Sequence, residues 1–450
     1  LSIPKSAIEN PSKKLPVYVF VHGGGLNSGS HAVQLSDREI FDSAGLVQHS
    51  IRKRQEMIVV AINYRISTLG FLASEQLVQY NRLHNEPLGN YGLHDQRRAL
   101  DWISNFISGF GGDPSAVTIQ GTSAGSLSCH FQTLFPNRKF RRAILASGTF
   151  STIAPDTLEQ SQRNFDLLVD AIKKGTSADL ALDVLLACDA EEIVKKAPGF
   201  FGSPFVDGEY ILSTTLRNSL PNKDLPDIMI GAASEEDDLG VAVLQGLATN
   251  VPQPDAKILE TLPLLFNNSL IPLSENFPFN HQGVIDAYGL RSSLFTPSQD
   301  LSKWGTLVAH FLFNVSTLHT CTILQDVARR GGIWLYHLTV TCPYPASHAP
   351  KKAHHGINDL ILFNNAADQV PQDLRVSWDA AVEKVRSSWI EFVNGGSPWD
   401  PLQPKTTLGT VEDMGPVFVF ADGRESRVYD RLDDALGKEL MGKWGAVLQC

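Results

Sequence analysis

Short β-branched runs alternate with longer amphipathic segments through the first third of this 450-residue chain, and that alternation restricts its fold more than any other feature. Val17 to Val21 reads as a buried strand that ends in a glycine-rich turn. Met57 to Ile62 is a second strand, ending at Asn63-Tyr64-Arg65. From His94 to Phe110 the apolar residues Ala99, Trp102, Ile103, Phe106 and Ile107 recur at helical spacing, until Gly111-Gly112-Asp113-Pro114 stops the pattern. Further strands are predicted at Ala116 to Gln120, Arg142 to Ala146, Asp227 to Ile230, Ile333 to Leu338 and Val417 to Phe420. Strands separated by helices pair in parallel through crossovers, so the expected fold class is α/β, a mostly parallel central sheet with helices on both faces. Residues 156–204 are helix-like and carry no strand signal. Together with 255–326 they are expected to form helical insertions that cap the sheet of a single domain spanning 1–450.

Composition excludes several functions. With 43% hydrophobic and 19% charged residues the chain is an ordinary globular protein. Its formal charge is -10 and no long basic stretch occurs, which argues against a nucleic-acid partner, because phosphate binding needs clustered lysine and arginine. No run of about 18 apolar residues occurs, so no membrane span is expected. Leu1 to Lys14 lacks the basic-then-apolar pattern of a signal peptide, and compartment and oligomeric state stay open. Five cysteines stand far apart without metal-type spacing and read as buried free thiols, with a Cys321–Cys342 disulfide left as an open alternative. Asn267 and Asn314 each fit the glycosylation pattern.

The chemistry begins at Gly121-Thr122-Ser123-Ala124-Gly125, a G-x-S-x-G string with a strand running in and the helix-compatible stretch Ser126 to Leu134 running out. That context is a nucleophile elbow: the flanking glycines allow a tight turn that projects the Ser123 hydroxyl outward. His22-Gly23-Gly24-Gly25 follows the first strand directly. Its glycines let backbone N–H groups approach an oxyanion without interference from a Cβ, so Gly24 and Gly25, with the N–H of Ala124, form a candidate three-donor oxyanion hole. No phosphate-loop ending follows these glycines.

A serine nucleophile needs a histidine to take its proton and a carboxylate to orient that histidine. Among 13 histidines, His354 and His355 stand in a polar loop after the strand Ile333 to Leu338. The carboxylates Glu235, Glu236, Asp237 and Asp238 follow the strand end Ile228 to Gly231, where sites gather in α/β sheets. Neither choice is settled by position alone. A metal site at these carboxylates and histidines would need regular ligand spacing, which is missing.

In these motifs the chain resembles the type-B carboxylesterase/lipase family, the cholinesterase-like α/β-hydrolases. Val19 to Ser30 is similar to the family's HGGG-x-x-x-GS loop, Asn63-Tyr64-Arg65 and Leu69-Gly70-Phe71-Leu72 to its N-Y-R and G-F-L segments, and Gly89 to Gln96 to G-N-x-G-L-x-D-Q. Phe110 to Pro114 matches F-G-G-D-P, and Pro204 to Gly208 resembles P-V-V-D-G. The resemblance implies an α/β-hydrolase fold and a carboxylic ester hydrolase acting on small-molecule esters through an acyl-enzyme, with no cofactor or metal. Carried over by residue, it implies Ser123 as nucleophile, Gly24, Gly25 and Ala124 as oxyanion donors, Glu236 (five after Gly231) as acid, and His355 (before Gly356, eight before Phe363) as base. The sequence departs from the family at Thr122, where members usually have glutamate, and at Asp237, where they usually have glycine. It also opens where members have already formed an N-terminal meander, whose end Leu1 to Pro4 resembles. Two alternatives go with this expectation. One is a catalytically inactive binding module of the same fold. The other is a lipase for long-chain esters, with Ile258 to Leu273 as the candidate lid.

Overall fold

The computed structural model describes residues 1–444 except 11, 36, 136, 198–201, 221–223, 249–280, 291–296, 327–330, 404–413, 424–425, 438–439 and 442. Among these residues the strands are β1 (Leu15–Val21), β2 (Gln34–Leu35), β3 (Arg38–Glu39), β4 (Ile58–Ile62), β5 (Gly112–Thr122), β6 (Arg142–Ala146), β7 (Asp227–Ala233), β8 (Ile333–Leu338), β9 (Val417–Phe420) and β10 (Arg427–Tyr429). Eight of them form one sheet in the order β10-β9-β8-β7-β6-β5-β1-β4, and β2 with β3 makes a separate two-stranded ribbon. Every pairing in the large sheet is parallel except β10 with β9. The α/β-hydrolase expectation therefore holds. The strand β10 has too few apolar residues to be legible in the sequence.

The period-two alternation of the strands separates two cores. On β1, Val17, Val19 and Val21 face one side, while Tyr18 and Phe20 face the other. On β8, Ile333 and Leu335 join the first core, and Trp334, Tyr336 and Leu338 the second. Helices Tyr91–Phe106 and Ala124–Leu134 cover the first face through Leu93, Leu100, Ile103, Leu127 and Phe131. Helices Ala44–Arg52, Ile357–Phe363 and Arg375–Val393 cover the second. Both faces are buried, which is why the strands read as continuous apolar runs.

The helix predicted over His94 to Phe110 is the α-helix Tyr91–Phe106 followed by a 3-10 turn, Ile107–Phe110. Its buried stripe is Leu93, Gln96, Leu100, Ile103 and Ile107. Trp102 and Phe106, which the periodicity suggested as core, lie a step round the cylinder and are exposed, with tilted rings in contact at 5.6 Å. Helices Leu158–Ile172, Ala178–Leu186 and Ala190–Lys196 lie in the region read as an insertion and pack around Phe165 and Leu168. Much of 255–326, including the candidate lid Ile258 to Leu273 and Asn267, lies outside the described residues.

Cys129, Cys188, Cys321 and Cys342 are free, so no Cys321–Cys342 bridge forms. Asn314 is buried, and its amide donates to the Ala233 carbonyl at 2.8 Å, which removes it as a glycosylation site. Leu301–Asp326 is one continuous helix, long and apolar enough to cross a membrane, but most of it is buried in the molecule as a core helix. Residues 310–315 within it form a π-helical turn.

One buried cation secures the second face. Arg386, on the helix Arg375–Val393, donates from Nε to the Leu362 carbonyl at 2.8 Å and from Nη2 to the Phe363 carbonyl at 2.6 Å. These carbonyls end the helix that follows the His354–His355 loop and have no partner of their own within it. Arg386→Met should leave them unpaired and cost about 2–3 kcal/mol, read as a lower denaturant midpoint at unchanged slope.

Candidate active site

The site is built from the carboxyl ends of four neighbouring strands, β1, β5, β6 and β7. Val21 on β1 is level with Gly121 on β5, Thr122 with Ala146 on β6, and Ala146 with Gly231 on β7. Loops leaving these ends must meet above the same edge of the sheet.

Ser123 occupies the turn between β5 and the helix Ala124–Leu134 with φ 61° and ψ -128°, a conformation that residues with a Cβ rarely adopt. It is held there from both sides. Its N–H donates to the Ala146 carbonyl at 2.9 Å, and its own carbonyl accepts from the Leu127 N–H at 2.9 Å. The neighbouring glycines have no room for a side chain: a Cβ on Gly121 would lie 2.2 Å from the Gly125 carbonyl carbon, and one on Gly125 would lie 2.1 Å from the Val21 oxygen. These contacts account for the G-x-S-x-G spacing and also bring the end of β1 against the elbow.

The His22–Gly25 loop lies directly on that elbow, since a Cβ on Gly23 would sit 2.7 Å from the Thr122 carbonyl oxygen. Gly24 has φ 111° and Gly25 φ 63°, so the run of glycines permits a backbone path that other residues resist. The N–H groups of Gly24 and Gly25 donate to nothing among the described residues. The loop is fastened behind by Tyr64, which donates its hydroxyl to the His22 carbonyl at 2.8 Å and stacks on the His22 ring at 4.4 Å. Burial lowers the pKa of His22 and favours its neutral form.

The run of four carboxylates is divided among different tasks. Glu236 is buried, with Oε1 accepting from Ser147 Oγ at 2.7 Å and from the Ala233 N–H at 2.9 Å. Its Oε2 lies 2.7 Å from His355 Nδ1, so that nitrogen carries the proton, because a carboxylate can only accept. His355 Nε2 is buried and makes no hydrogen bond. Glu235 instead accepts from the Ala353 N–H at 3.0 Å, and Asp237 takes Lys352 Nζ at 2.7 Å. His354 is turned away: burial lowers its pKa to about 4, its ring packs on His348 at 4.8 Å, and its Nδ1 accepts from the Gly356 N–H. The structure therefore brings Glu236 and His355 together and leaves Glu235, Asp237, Asp238 and His354 elsewhere.

Two side chains at the site, Ser147 and Phe313, have no signal in the sequence. Ser147, at φ 49° just past β6, is the hydroxyl on Glu236. Phe313, from the π-helical turn, packs its ring on His355 at 4.4 Å. A lone serine or phenylalanine gives no periodic signal by which to find it. Asn90, in the Gly89–Gln96 motif, bonds both Phe205 and Asp207 and so joins that motif to Pro204–Gly208, 115 residues away at Phe205.

The family model described as "Carboxylesterase family" matches residues 1–413. The chain belongs to the carboxylesterase family. Its class of reaction is that of the family, the hydrolysis of carboxylic esters. It is 28% identical over 407 residues to a para-nitrobenzyl esterase of Bacillus subtilis (strain 168), covering 87% of this chain and 73% of that protein. It is also 30% identical over 435 residues to an inactive carboxylesterase-like protein, VdtD, of Byssochlamys spectabilis, covering 88% of this chain and 70% of that one. Among solved structures, a carboxylesterase of Geobacillus stearothermophilus shares the fold with a TM-score of 0.70 at 23% identity, over 96% of this chain and 82% of that one.

The elbow contacts make a clean test. Gly125→Ala should drive a Cβ into the β1 backbone and cost more than about 2 kcal/mol, whereas Gly109→Ala, with nothing within 4 Å of its Cβ, should stay within about 0.5 kcal/mol of wild type in the same unfolding assay.

Proposed function

We propose that this family member hydrolyses small-molecule carboxylic esters through an acyl-enzyme, with Ser123, His355 and Glu236 as its triad. The observation that carries the reading is the 2.7 Å hydrogen bond from half-buried His355 to buried Glu236, which leaves Nε2 as an unshared lone pair on the same sheet edge as a strained serine. Ser123 Oγ attacks the ester carbonyl while its proton passes to His355 Nε2. Glu236 holds the ring through Nδ1–H and stabilises the imidazolium that forms. The oxyanion is received by the N–H groups of Gly24, Gly25 and Ala124, the last belonging to the first turn of a helix whose amides have no partner within it. The imidazolium then returns the proton to the departing alcohol. A water deprotonated at Nε2 attacks the acyl carbonyl and releases the acid and Ser123. We assign these steps to a single domain, in which the described helices of 158–196 form an insertion.

An inactive relative of similar identity makes the contrary reading specific enough to test. Against it, this chain keeps a serine in the elbow, a histidine bonded to a buried carboxylate, and a glycine loop with free donors. Purified protein should turn over p-nitrophenyl acetate or butyrate and take a fluorophosphonate label on Ser123. Ser123→Ala should abolish both, and His355→Gln should lower kcat by at least ~10³. A folded wild type that neither turns over nor labels would select the binding module.

The oxyanion assignment has its own test. Gly24→Ala would place a Cβ 2.2 Å from the Ser28 carbonyl oxygen and displace the loop. Its kcat should fall ~10²–10³ with KM little changed in protein that still unfolds cooperatively, the thermal midpoint being lowered by the same clash.

A further inference from the structure

The residue before Ser123 makes a contact that the triad does not use. Thr122 Oγ1 donates to Asp359 Oδ1 at 2.6 Å across 237 positions of sequence. Asp359 is the fourth residue after His355 and stands in the first turn of the helix Ile357–Phe363. One hydrogen bond therefore joins the backbone that carries Ser123 to the backbone that carries His355. The same hydroxyl receives Gln120 Nε2 at 3.4 Å and Asn358 Nδ2 at 3.4 Å, and Gln120 Oε1 accepts from Tyr18 OH at 2.5 Å. A continuous polar chain, Tyr18–Gln120–Thr122–Asp359, thus runs from β1 through β5 to the histidine's helix.

We propose that Asp359, latched by Thr122, is a positioning residue for the esterase reaction, which fixes His355 relative to Ser123 and supports its imidazolium with a second negative charge. This inference rests on the triad reading above. Asp359 has no lysine or arginine in ion-pair contact among the described residues, so the cation nearest in role is the imidazolium itself. The other titratable groups facing it are Tyr18 on β1 and Tyr336 on β8. Burial raises both phenols well above their ordinary range and keeps them neutral. Burial also pushes Asp359 up to about 6, while the Thr122 hydrogen bond and the charge of His355 pull the other way. The sign follows: above about pH 6 Asp359 is ionised and favours the imidazolium, and as the pH falls through that value it is protonated and the support is lost.

The test uses the full chain with p-nitrophenyl butyrate, the pH profile of kcat/KM, fluorophosphonate labelling and thermal midpoints. Asp359→Asn keeps an acceptor for Thr122 but removes the charge. It should lower kcat and move the acid limb to lower pH by about half a pH unit, with the midpoint nearly unchanged. Thr122→Val breaks the latch and should lose about tenfold in kcat at similar KM, and Thr122→Ser should recover it. An active wild type whose Asp359→Asn variant has the same kcat and pH profile overturns the proposal and leaves the triad standing. If Asp359→Asn does not fold, equal kcat for Thr122→Val and Thr122→Ser overturns it instead. A wild type that neither turns over nor labels overturns the parent reading and this one together.

Discussion

The backbone of Ser123 is held in a conformation that costs about 1–3 kcal/mol, and the arrangement of the site depends on keeping it there. Strain of this size persists only where the surroundings determine it several times over. The Ala146 carbonyl and the Leu127 N–H fix the two peptides beside it. Gly148 presses so close that a Cβ there would lie 2.3 Å from the Ser123 oxygen. The helix that follows, Ala124–Leu134, is buried along its whole length. Relaxing the turn would mean moving that helix, and with it the contacts of Leu127 and Phe131 in the first core. The sheet supplies the stability from which the strain is met.

The histidine is placed by a different device. Four adjacent carboxylates would repel one another if all faced solvent on one turn. Here only Glu236 enters the interior, where three donors meet it. Glu235 both donates its N–H to the Ala353 carbonyl and accepts the Ala353 N–H, so its backbone and side chain close on one residue of the histidine loop. Asp237 and Asp238 share Lys352 beside it. The Lys352 pair is partly exposed and contributes ~0–1 kcal/mol, so its effect is one of register rather than stability. Glu235, Glu236 and Asp237 together act as a clamp on residues 352–355.

This explains what could and could not be read in advance. Strand positions were legible because β1, β4 and β8 bury both faces and leave continuous apolar runs. The elbow was legible because close backbone approach demands glycine at 121 and 125. Position alone could not separate Glu235 from Glu236 or His354 from His355, since one step along a turn decides which side chain faces inward, and the resemblance to the family made that choice. Trp102 and Phe106 misled because an aromatic at helical spacing looks apolar whether it packs inward or, as here, leans on a neighbour at the surface. The bond from Thr122 to Asp359 carries no local pattern at all. It exists only because β5 and the helix after the histidine loop are brought together by the fold.

That last contact also shows why a polar chain is retained beneath a site. Tyr18, Gln120, Thr122 and Asp359 cross a region lined by Phe20, Met229 and Tyr336, where an unpaired polar group would cost about 1–3 kcal/mol. Apolar residues of the same volume would be about as stable there, so stability alone does not account for the chain. What apolar packing cannot do is fix a direction. A hydrogen bond of 2.6 Å sets where the Asp359 carboxylate lies relative to the Thr122 hydroxyl, whereas a methyl contact tolerates sliding. Since Thr122 is bonded to Ser123 and Asp359 lies one helical turn from His355, fixing that direction limits the freedom between nucleophile and base, the distance on which proton transfer depends most steeply.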